Sequence, residues 1–393
     1  MSSKKQLAAD AYTVGIIYVK PIEMNAITAM IDEFHQSIPM RRGDDNEYTL
    51  GRIGKHNVAI AGPAKGAQGK VAIADVVGRI PLAFKNIRVG LLVGIGGGVP
   101  RPPRKDVRLG DVVVGAPESG PAVVQYDLGK QTTHEVEVMR TLNKPPGSLL
   151  RVVDKVDNEY QRAEEGEDGF FAKHLQRFAK FPRMRELYKR PCTSDRLFQA
   201  SYEHEDGTQC ISHDQSCEVS RPDRNPGDIR IHYSTILSGD LVIKSAKIRD
   251  QLSCKFHGAL CFEMGAAGLM DVFLCLVIRG ICNYSDSHKN NDWQEYAAAT
   301  AAAYAREILL SMVERVVEEL YHSATENSKA PEETQPIAVN FFGKHIYGVQ
   351  LGQNTGSMGG LLDEALDFPF PADHTLDDSS IEGVRRRAHV ASV

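Results

Sequence analysis

The sequence predicts a three-layer αβα fold around a central mixed, largely parallel sheet. Short apolar runs rich in β-branched residues alternate along the chain with longer stretches in which apolar residues recur at helical spacing. Strands that alternate with helices build parallel sheets that helices cover on both faces. Residues 43–62 instead show two alternating strands joined by a polar turn, so one antiparallel hairpin is expected within the sheet.

The elements of the first third follow in order. Thr13–Val19 is a β-branched run of strand length, and Pro21 then stands where a helix begins, ahead of apolar residues at helical spacing. After the hairpin, helical periodicity predicts a helix in "GAQGKVAIADVVGRI". Continuous apolar runs then predict buried strands in "IRVGLLVGIGGGVP" and "VRLGDVVVG".

The later elements repeat this alternation. Residues 127–191 are polar and are predicted to be helical, and Ile231–Ile243 is predicted to be strand-like. "ALCFEMGAAGLM" indicates a strand that feeds a helix, "LCLVIRGIC" indicates the next strand, and an alanine-rich run from Asp292 indicates a long helix. We therefore assign residues 1–321 to one α/β domain.

The composition changes after about Tyr321. "HSATENSKAPEETQP" is a polar, proline-bearing linker, and the residues beyond it carry Gly, Asn and Gln without a core-forming period. We expect residues 322–393 to be a linker and a largely disordered tail. The segment "FFGKHIYGVQLGQNTGSMGG" is similar to short amyloid-forming signalling motifs, because regularly spaced Gly and Asn fit stacked ladders, but a flexible linker explains it too.

Composition and charge argue against several classes of protein. The chain is 42% hydrophobic and 25% charged, which is ordinary for a soluble globular protein, and its net charge of -5 argues against a dedicated nucleic-acid binder. The N-terminus has no long apolar run or cleavage site, and no segment approaches about 18 continuous apolar residues, so we expect neither a secretory signal nor a membrane span. The seven scattered cysteines favour reduced thiols and a cytoplasmic protein.

No cofactor or metal is predicted. The glycine cluster "GIGGG" leads into prolines rather than into the G-x-G-x-x-G helix of a dinucleotide site, and the lysine of a P-loop is missing, which disfavours an α/β oxidoreductase. One cluster of metal-binding residue types fits no common zinc spacing, so a polar surface loop is the favoured interpretation. Its members are His204, Cys210, His213 and Cys217.

A polar cluster follows one apolar strand and marks a candidate site. The strand "VIRGIC" runs directly into Asn283, Tyr284, Ser285, Asp286, Ser287 and His288. The carboxyl end of a strand in an open α/β sheet is where ligands usually bind. We therefore expect a ligand site there, with Ser285 among the residues that contact the ligand.

Several motifs occur in a fixed order along the chain. They are "GIIYVKPIEMNAI", "VGIGGGVP", "VRLGDVVVG", "SGDLVI", "FEMGAAGLMD" and "IRGICNYSDSHKNNDWQEYAAATAAAYAREIL". Together they resemble the nucleoside phosphorylase and nucleosidase superfamily, and "GDDNEYTLGRIGKHNV" resembles its fungal branch in particular. The resemblance covers about Thr13 to Leu320, with an extended insertion at about 127–228.

The resemblance implies a phosphorylase/hydrolase-like fold and a reaction. Members of this superfamily cleave the N-glycosidic bond between a ribose and a base, with water or phosphate as the attacker. The expected partner is a purine nucleoside or a nucleotide, with ATP among the candidates, and phosphate where it attacks. Members are usually dimers, trimers or hexamers, so the resemblance also implies a homo-oligomer.

The resemblance also implies roles for individual residues. Glu23 matches the glutamate that activates water in hydrolytic members, although a solvated first-turn glutamate favoured by the helix dipole is the alternative. The other matched positions are predicted to bind substrate. They are the ribose or phosphate loop, which a tight structural turn would also explain, and the base contacts, which could equally be plain core residues. The Glu-Met pair is expected below the sugar, where a structural role competes for the glutamate. These positions are Gly94, Gly96, Gly97, Val242, Ile243, Glu263 and Met264.

Two positions depart from the family pattern. Gly265 stands where the family has a second glutamate that holds the ribose hydroxyls, and Asn283 stands where the family has its acid. An asparagine can donate a hydrogen bond but cannot deliver a proton to the purine N7. Asn283 therefore weakens the reaction, or selects a 6-oxopurine through bonds to N7 and O6, or leaves the acid role to Asp286, which could equally cap a turn.

The two departures keep a second class of function open, namely a purine-binding sensor module that does not turn its ligand over.

A phosphorylated substrate would need several cations near the strand ends. The candidates are Lys20, Arg41, Arg42, Lys65, Lys70, Arg101 and Arg104, and scattered surface charge explains them equally well.

Overall fold

The computed structural model divides the chain into two units, Met1–Lys329 and Ala330–Val393. It describes residues 4–39, 41–131, 136–138, 142–163, 169–204, 215–225, 227–273 and 275–313. The predicted boundary after residue 321, the predicted tail, and the Cys210 and His213 members of the candidate metal cluster lie outside the described residues. None of the helices in the described ranges combines the length and apolar character that a membrane crossing requires.

Strands and helices alternate along most of the described chain. The strands are β1 (Val14–Ile17), β2 (Glu33–Phe34), β3 (Thr49–Ile53), β4 (His56–Ala61), β5 (Val89–Gly98), β6 (Val112–Val114), β7 (Val123–Gln125), β8 (Gly129–Gln131), β9 (Val136–Val138), β10 (Ile231–Tyr233), β11 (Ile236–Ser238), β12 (Cys261–Glu263) and β13 (Cys275–Asn283). The helices are α1 (Pro21–Ala29), α2 (Lys70–Ala83), α3 (Gly147–Gln161), α4 (Ala172–Leu175), α5 (Pro182–Leu187), α6 (Ala246–Lys255) and α7 (Gln294–Ser311).

One mixed sheet forms the middle layer. Its main path runs β10-β6-β13-β5-β1-β4-β3-β2, while β12 pairs with β5 and β11 joins β12 to β7. The central strand β5 pairs in parallel with β1 and β13. The β3–β4 hairpin is antiparallel, as are the β6–β13 and β5–β12 pairs. The fold class and the hairpin predicted from the sequence are therefore confirmed.

The core lies around β5 and β13. Every residue of β13 is buried, and all but one residue of β5 are buried. Parallel strands covered on both faces are continuously apolar, which explains why these segments lack alternation. The alanine-rich α7 packs against both strands and against α1, and its small side chains allow this close approach.

Helix α1 begins where the sequence predicts. Pro21 occupies its first turn, and Lys20 precedes it as the N-cap. The Glu23 side chain accepts a hydrogen bond from the backbone N–H of Lys20 at 2.8 Å, which completes one half of a capping box. The first turn of α1 is thereby fixed beside the end of β1.

Three predicted elements differ in the structure. Ile231–Ile243 forms two strands, because the Ser234 N–H bonds to the Val114 carbonyl and the chain then moves from β6 to β7 and β12. The helix expected after β12 is one 3₁₀ turn, since Glu263 captures the N–H groups of the two residues that follow Met264. The stretch 127–191 is helical only in part, because the antiparallel strand pair β8 and β9 precedes α3.

Candidate active site

A pocket opens at the carboxyl ends of β1, β5 and β13, where the sequence placed the ligand site. Most predicted site residues line it: Glu23, Gly96, Gly97, Val242, Ile243, Glu263, Met264, Asn283 and Ser285. Gly94, Gly265 and Asp286 are not part of this lining. Within the described ranges, no group of three or more His, Cys, Asp or Glu side chains could hold a metal ion.

Glu23 is held between two strands beneath the pocket. One carboxylate oxygen accepts hydrogen bonds from the backbone N–H groups of Val19 at 2.7 Å and Lys20 at 2.8 Å. The other accepts the N–H of Ile95 at 2.8 Å, and only 3% of the residue is exposed. A carboxylate has about four acceptor positions, so one remains for a ligand hydroxyl or a water. The solvated first-turn alternative is therefore wrong.

Arg279 and Glu263 form a buried ion pair at the base of the pocket. Glu263 also accepts the N–H groups of Gly265 at 2.8 Å and Ala266 at 3.0 Å, so three scaffold groups hold its carboxylate and one acceptor position remains on Oε1. A Cβ at Gly94 would overlap both the Glu23 carboxylate and the Arg279 guanidinium, and this explains the glycine below the pocket. The sequence analysis missed Arg279, although a lone arginine inside an apolar strand is a signal for a buried partner.

The Asn283 side chain is fixed by its neighbours. Its Oδ1 accepts the Ser285 N–H at 3.0 Å, and its Nδ2 donates to the Cys282 Sγ at 3.1 Å. Only 6% of the residue is exposed. Burial raises the pKa of Cys282 to about 11, so its neutral thiol can donate to the Gly96 carbonyl. One Nδ2 hydrogen and one Oδ1 lone pair remain for a ligand.

The pairing of β13 with β5 slips between Ile281 and Asn283. In a regular strand, consecutive side chains point to opposite faces of the sheet. Here both Cys282 and Asn283 line the pocket, because the irregularity turns the backbone between them. The strand end is therefore shaped to aim Asn283 at a ligand while Cys282 supports it.

Ser285 has a left-handed backbone conformation with φ of 52°. Such a conformation costs a non-glycine residue about 1–3 kcal/mol and is found mostly at functional sites. Its hydroxyl lies against Gly97, where an added Cβ would overlap it. The close approach of Gly97 and Ser285 forms the wall of the pocket next to Asn283.

Asp286 lies in the turn that leaves the pocket. Its carboxylate accepts the His288 N–H at 3.1 Å, which is the geometry of a turn cap. Burial raises its pKa, although the charge of Arg249 opposes the shift. The structure therefore separates Asp286 from the pocket lining, and a catalytic role for it stays a prediction.

Two lysines line the pocket, and only one of them was among the cations that the sequence indicated. Lys20 donates to the Gln294 side chain at 3.4 Å, and Lys289 is the second. Partial burial lowers the pKa of Lys289, and the charges of Lys20 and Lys244 lower it further. Lys70, another predicted cation, is instead paired with Asp127 at 2.8 Å.

No model of a known protein family matches the chain. The chain is 38% identical over 317 residues to a "Nucleotide-binding leucine-rich repeat (NLR)-like protein" of the fungus Hyaloscypha variabilis. The match covers 79% of this chain and 30% of that protein, so the chain spans less than a third of the relative's length.

The described fold is similar to that of solved nucleosidases. Futalosine hydrolase of Helicobacter pylori has a TM-score of 0.50 and 17% identity, covering 77% of this chain and 99% of that one. A 5′-methylthioadenosine/S-adenosylhomocysteine nucleosidase of the same organism, in complex with a substituted pyrrolidin-3-ol, gives the same values. An adenine-bound structure from Borrelia burgdorferi, assigned as such a nucleosidase, has a TM-score of 0.50 and 16% identity, covering 76% and 100%. The chain therefore has the fold of the nucleoside phosphorylase and nucleosidase superfamily, which its ordered motifs predicted.

Proposed function

We propose that the chain cleaves the N-glycosidic bond of a purine nucleoside or nucleotide, with water or phosphate as the attacker. The observation that carries the proposal is the convergence of Glu23, Gly96, Gly97, Met264 and Asn283 around one pocket at the strand ends. The adenine bound to the similar Borrelia burgdorferi structure supports a purine as the ligand.

The proposed chemistry assigns one task to each end of the glycosidic bond. Glu23, with one acceptor position free, would hold the attacking water and take its proton as positive charge develops on the ribose. Asn283 would donate its remaining N–H to the purine N7, which stabilises the departing base without protonating it. Glu263 is held by Arg279 and two backbone N–H groups but keeps one acceptor position for a ribose hydroxyl, and Met264 would contact the sugar beside it.

The charge at the pocket supports a substrate that carries phosphate. Lys20 and Lys289 line the pocket, and Lys244 lies near enough to lower the pKa of Lys289. Among the residues that the structure describes, no carboxylate lies within 4.0 Å of any of these three ammonium groups. Positive charge without a counter-ion would attract a phosphate group, so nucleotides such as ATP belong in the substrate panel beside nucleosides.

A second candidate function is a sensor module that binds a purine without processing it. Asn283 cannot protonate a leaving group, and Gly265 has no side chain to hold the ribose hydroxyls. The similar fungal protein is described as a nucleotide-binding leucine-rich-repeat-like protein, and its chain is more than three times as long as the part that matches. Tight purine binding without turnover is the signature of this alternative.

The deciding experiment incubates the protein with ATP, adenosine, inosine and guanosine, with and without phosphate, and measures the free base by chromatography. Base release supports the enzyme, and its dependence on phosphate identifies the attacker. The Glu23→Gln variant is the matched control for contaminating hydrolases. If no substrate releases free base, the proposed enzymatic function is overturned. Binding of adenine by calorimetry in that case would favour the sensor function.

We also propose that the protein is a homo-oligomer in the cytoplasm. The resemblance to a superfamily whose members are oligomers supports the homo-oligomer. The cysteines that the structure describes are free thiols, which supports the cytoplasmic location. Light scattering on the purified protein tests the assembly, and a fluorescent fusion in the cell tests the location.

A further inference from the structure

Residues of the insertion hold the segment that closes the pocket, Asn283–His288, from two sides. At its start, the Tyr284 hydroxyl donates to the Asp195 carboxylate and accepts from the Arg221 guanidinium at 3.0 Å. The Arg221 guanidinium also lies over the Tyr284 ring, 5.5 Å from its centre, and bonds to the Asp195 carbonyl at 2.9 Å. Both Tyr284 and the Arg221 side chain are almost completely buried.

The other end of the segment is held by aromatic rings of the insertion. The His288 ring lies 4.2 Å from the Phe198 ring and stacks on the Tyr202 ring at 5.1 Å, measured between ring centres. The Ser287 hydroxyl accepts the His204 N–H at 2.8 Å. We call Asp195, Phe198, Tyr202, His204 and Arg221 the insertion clamp.

The residue between the two anchored ends is the strained one. Ser285 has a φ of 52°, a conformation that persists only where the surroundings enforce it. Its N–H fixes the Oδ1 of Asn283, and its hydroxyl lies against Gly97. If Ser285 relaxed, the Asn283 amide would lose the bond that sets its orientation in the pocket.

We infer that the insertion clamp positions the ligand-facing amide of Asn283 by enforcing the conformation of Ser285. The clamp residues lie in the insertion and touch residues 284, 287 and 288, so they act through the segment and not on the ligand. The inference deepens the proposed function and rests on it, since it assumes that Asn283 contacts the base. A purely structural contact, which only attaches the insertion to the domain, is the alternative that the test must separate.

The test uses two mild variants in the full chain and one control. Arg221→Lys keeps the charge but loses the forked contacts with Tyr284 and Asp195, and Tyr284→Phe keeps the ring but loses the hydroxyl. Arg196→Lys is the control, because Arg196 pairs with Glu218 within the same insertion and no bond joins it to residues 283–288. Each protein is tested for adenine binding by calorimetry, for base release, and for hydrogen exchange in residues 283–288.

Both clamp variants are expected to speed hydrogen exchange in residues 283–288 and to weaken adenine binding by about 2- to 10-fold, because the Asn283 amide contributes one neutral hydrogen bond to the base. The control should change neither quantity. The clamp variants lose bonds between buried groups, so their thermal unfolding midpoints should fall, and binding and exchange are compared well below those midpoints. Faster exchange with unchanged adenine binding overturns the inference, as does an equal effect of the control.

Failure of the proposed function has a different signature. If the wild type neither binds adenine nor releases base from any substrate, the proposed function fails whatever the variants do. The positioning claim then falls with it, because it assumes that Asn283 contacts the base. If the wild type does bind adenine and both clamp variants bind it equally tightly, only the positioning claim is overturned.

Discussion

Replacing Asn283 with aspartate tests whether the pocket lacks only a proton donor. The two side chains have the same shape, so the Ser285 N–H at 3.0 Å would continue to hold one side-chain oxygen. The bond from Nδ2 to Cys282 is lost, but the neutral Cys282 thiol can turn its one hydrogen from the Gly96 carbonyl to the new carboxylate. The fold around residue 283 should therefore accept the change.

The expected gain follows from the burial of the site. With 6% of residue 283 exposed, burial would raise the pKa of the new carboxyl and keep a protonated fraction near neutral pH. A positioned general acid contributes about 10²–10⁴-fold in rate, or roughly 3–5 kcal/mol of barrier. Burying a carboxyl with few partners should lower the free energy of unfolding by about 1–3 kcal/mol.

The assay compares base release by wild type and Asn283→Asp with adenosine, inosine and ATP across a pH series. An acid works only while protonated, so the gain should be present below the pKa of the new carboxyl and lost as the pH rises through it. The wild type, whose amide does not titrate, should show no such falling limb at that pH.

One result would refute the reasoning. If Asn283→Asp remains folded at the assay temperature and releases no more base than wild type from any substrate, the missing acid is not what limits turnover. The double variant Asn283→Asp/Gly265→Glu extends the test, because an added Cβ at Gly265 meets its nearest neighbours at ordinary distances of 3.4–3.6 Å. An inert double variant would exclude both departures as the cause.

Three further predictions follow from individual groups. Glu23→Gln should abolish base release and lower the free energy of unfolding by about 2–4 kcal/mol. The new amide nitrogen would face a backbone N–H whose acceptor in the wild type is a carboxylate oxygen. Kinetics and urea unfolding measure the two effects. Lys289→Met should weaken ATP binding roughly tenfold but leave adenosine binding unchanged by calorimetry, whereas Lys247→Met at an exposed site should change neither. Burial alone would raise the pKa of Asp111, but its hydrogen bonds and cationic neighbours lower it. Ionised Asp111 should therefore stabilise the fold above its unfolded pKa, and this stabilisation should be lost as the pH falls through the lower folded pKa. By urea unfolding, Asp111→Asn should be about 3–5 kcal/mol less stable than wild type, and its stability should depend less on acid pH.

Local patterns predicted those elements whose formation depends on local chemistry. The β3–β4 hairpin, the start of α1 at Pro21 and the buried strands β5 and β13 were all visible as periodicity and turn signals. The division of Ile231–Ile243 was not visible, because it depends on which distant strands each half meets. The 3₁₀ turn after β12 was missed for a related reason, since the Glu263 side chain binds N–H groups that a helix would need.

The site was predictable to the extent that its residues follow strand ends. Gly96, Gly97 and Asn283 lie among the last residues of buried strands, and Glu23 lies in the helix that follows one. Parallel strands bring such ends together. Arg279 and Lys289 were missed because their significance comes from partners that only the folded chain brings near them. No pattern of sequence spacing could have predicted that insertion residues hold residues 284–288.

The backbone slip between Ile281 and Asn283 has an evolutionary consequence. Because the sheet itself aims position 283, the chemistry presented there can be exchanged without rebuilding the scaffold around it. A lineage could switch between a receptor that only recognises its ligand and an enzyme that consumes it by changing a single codon. Descendants of both kinds could then share one architecture, and position 283 would be the first place to look for the difference.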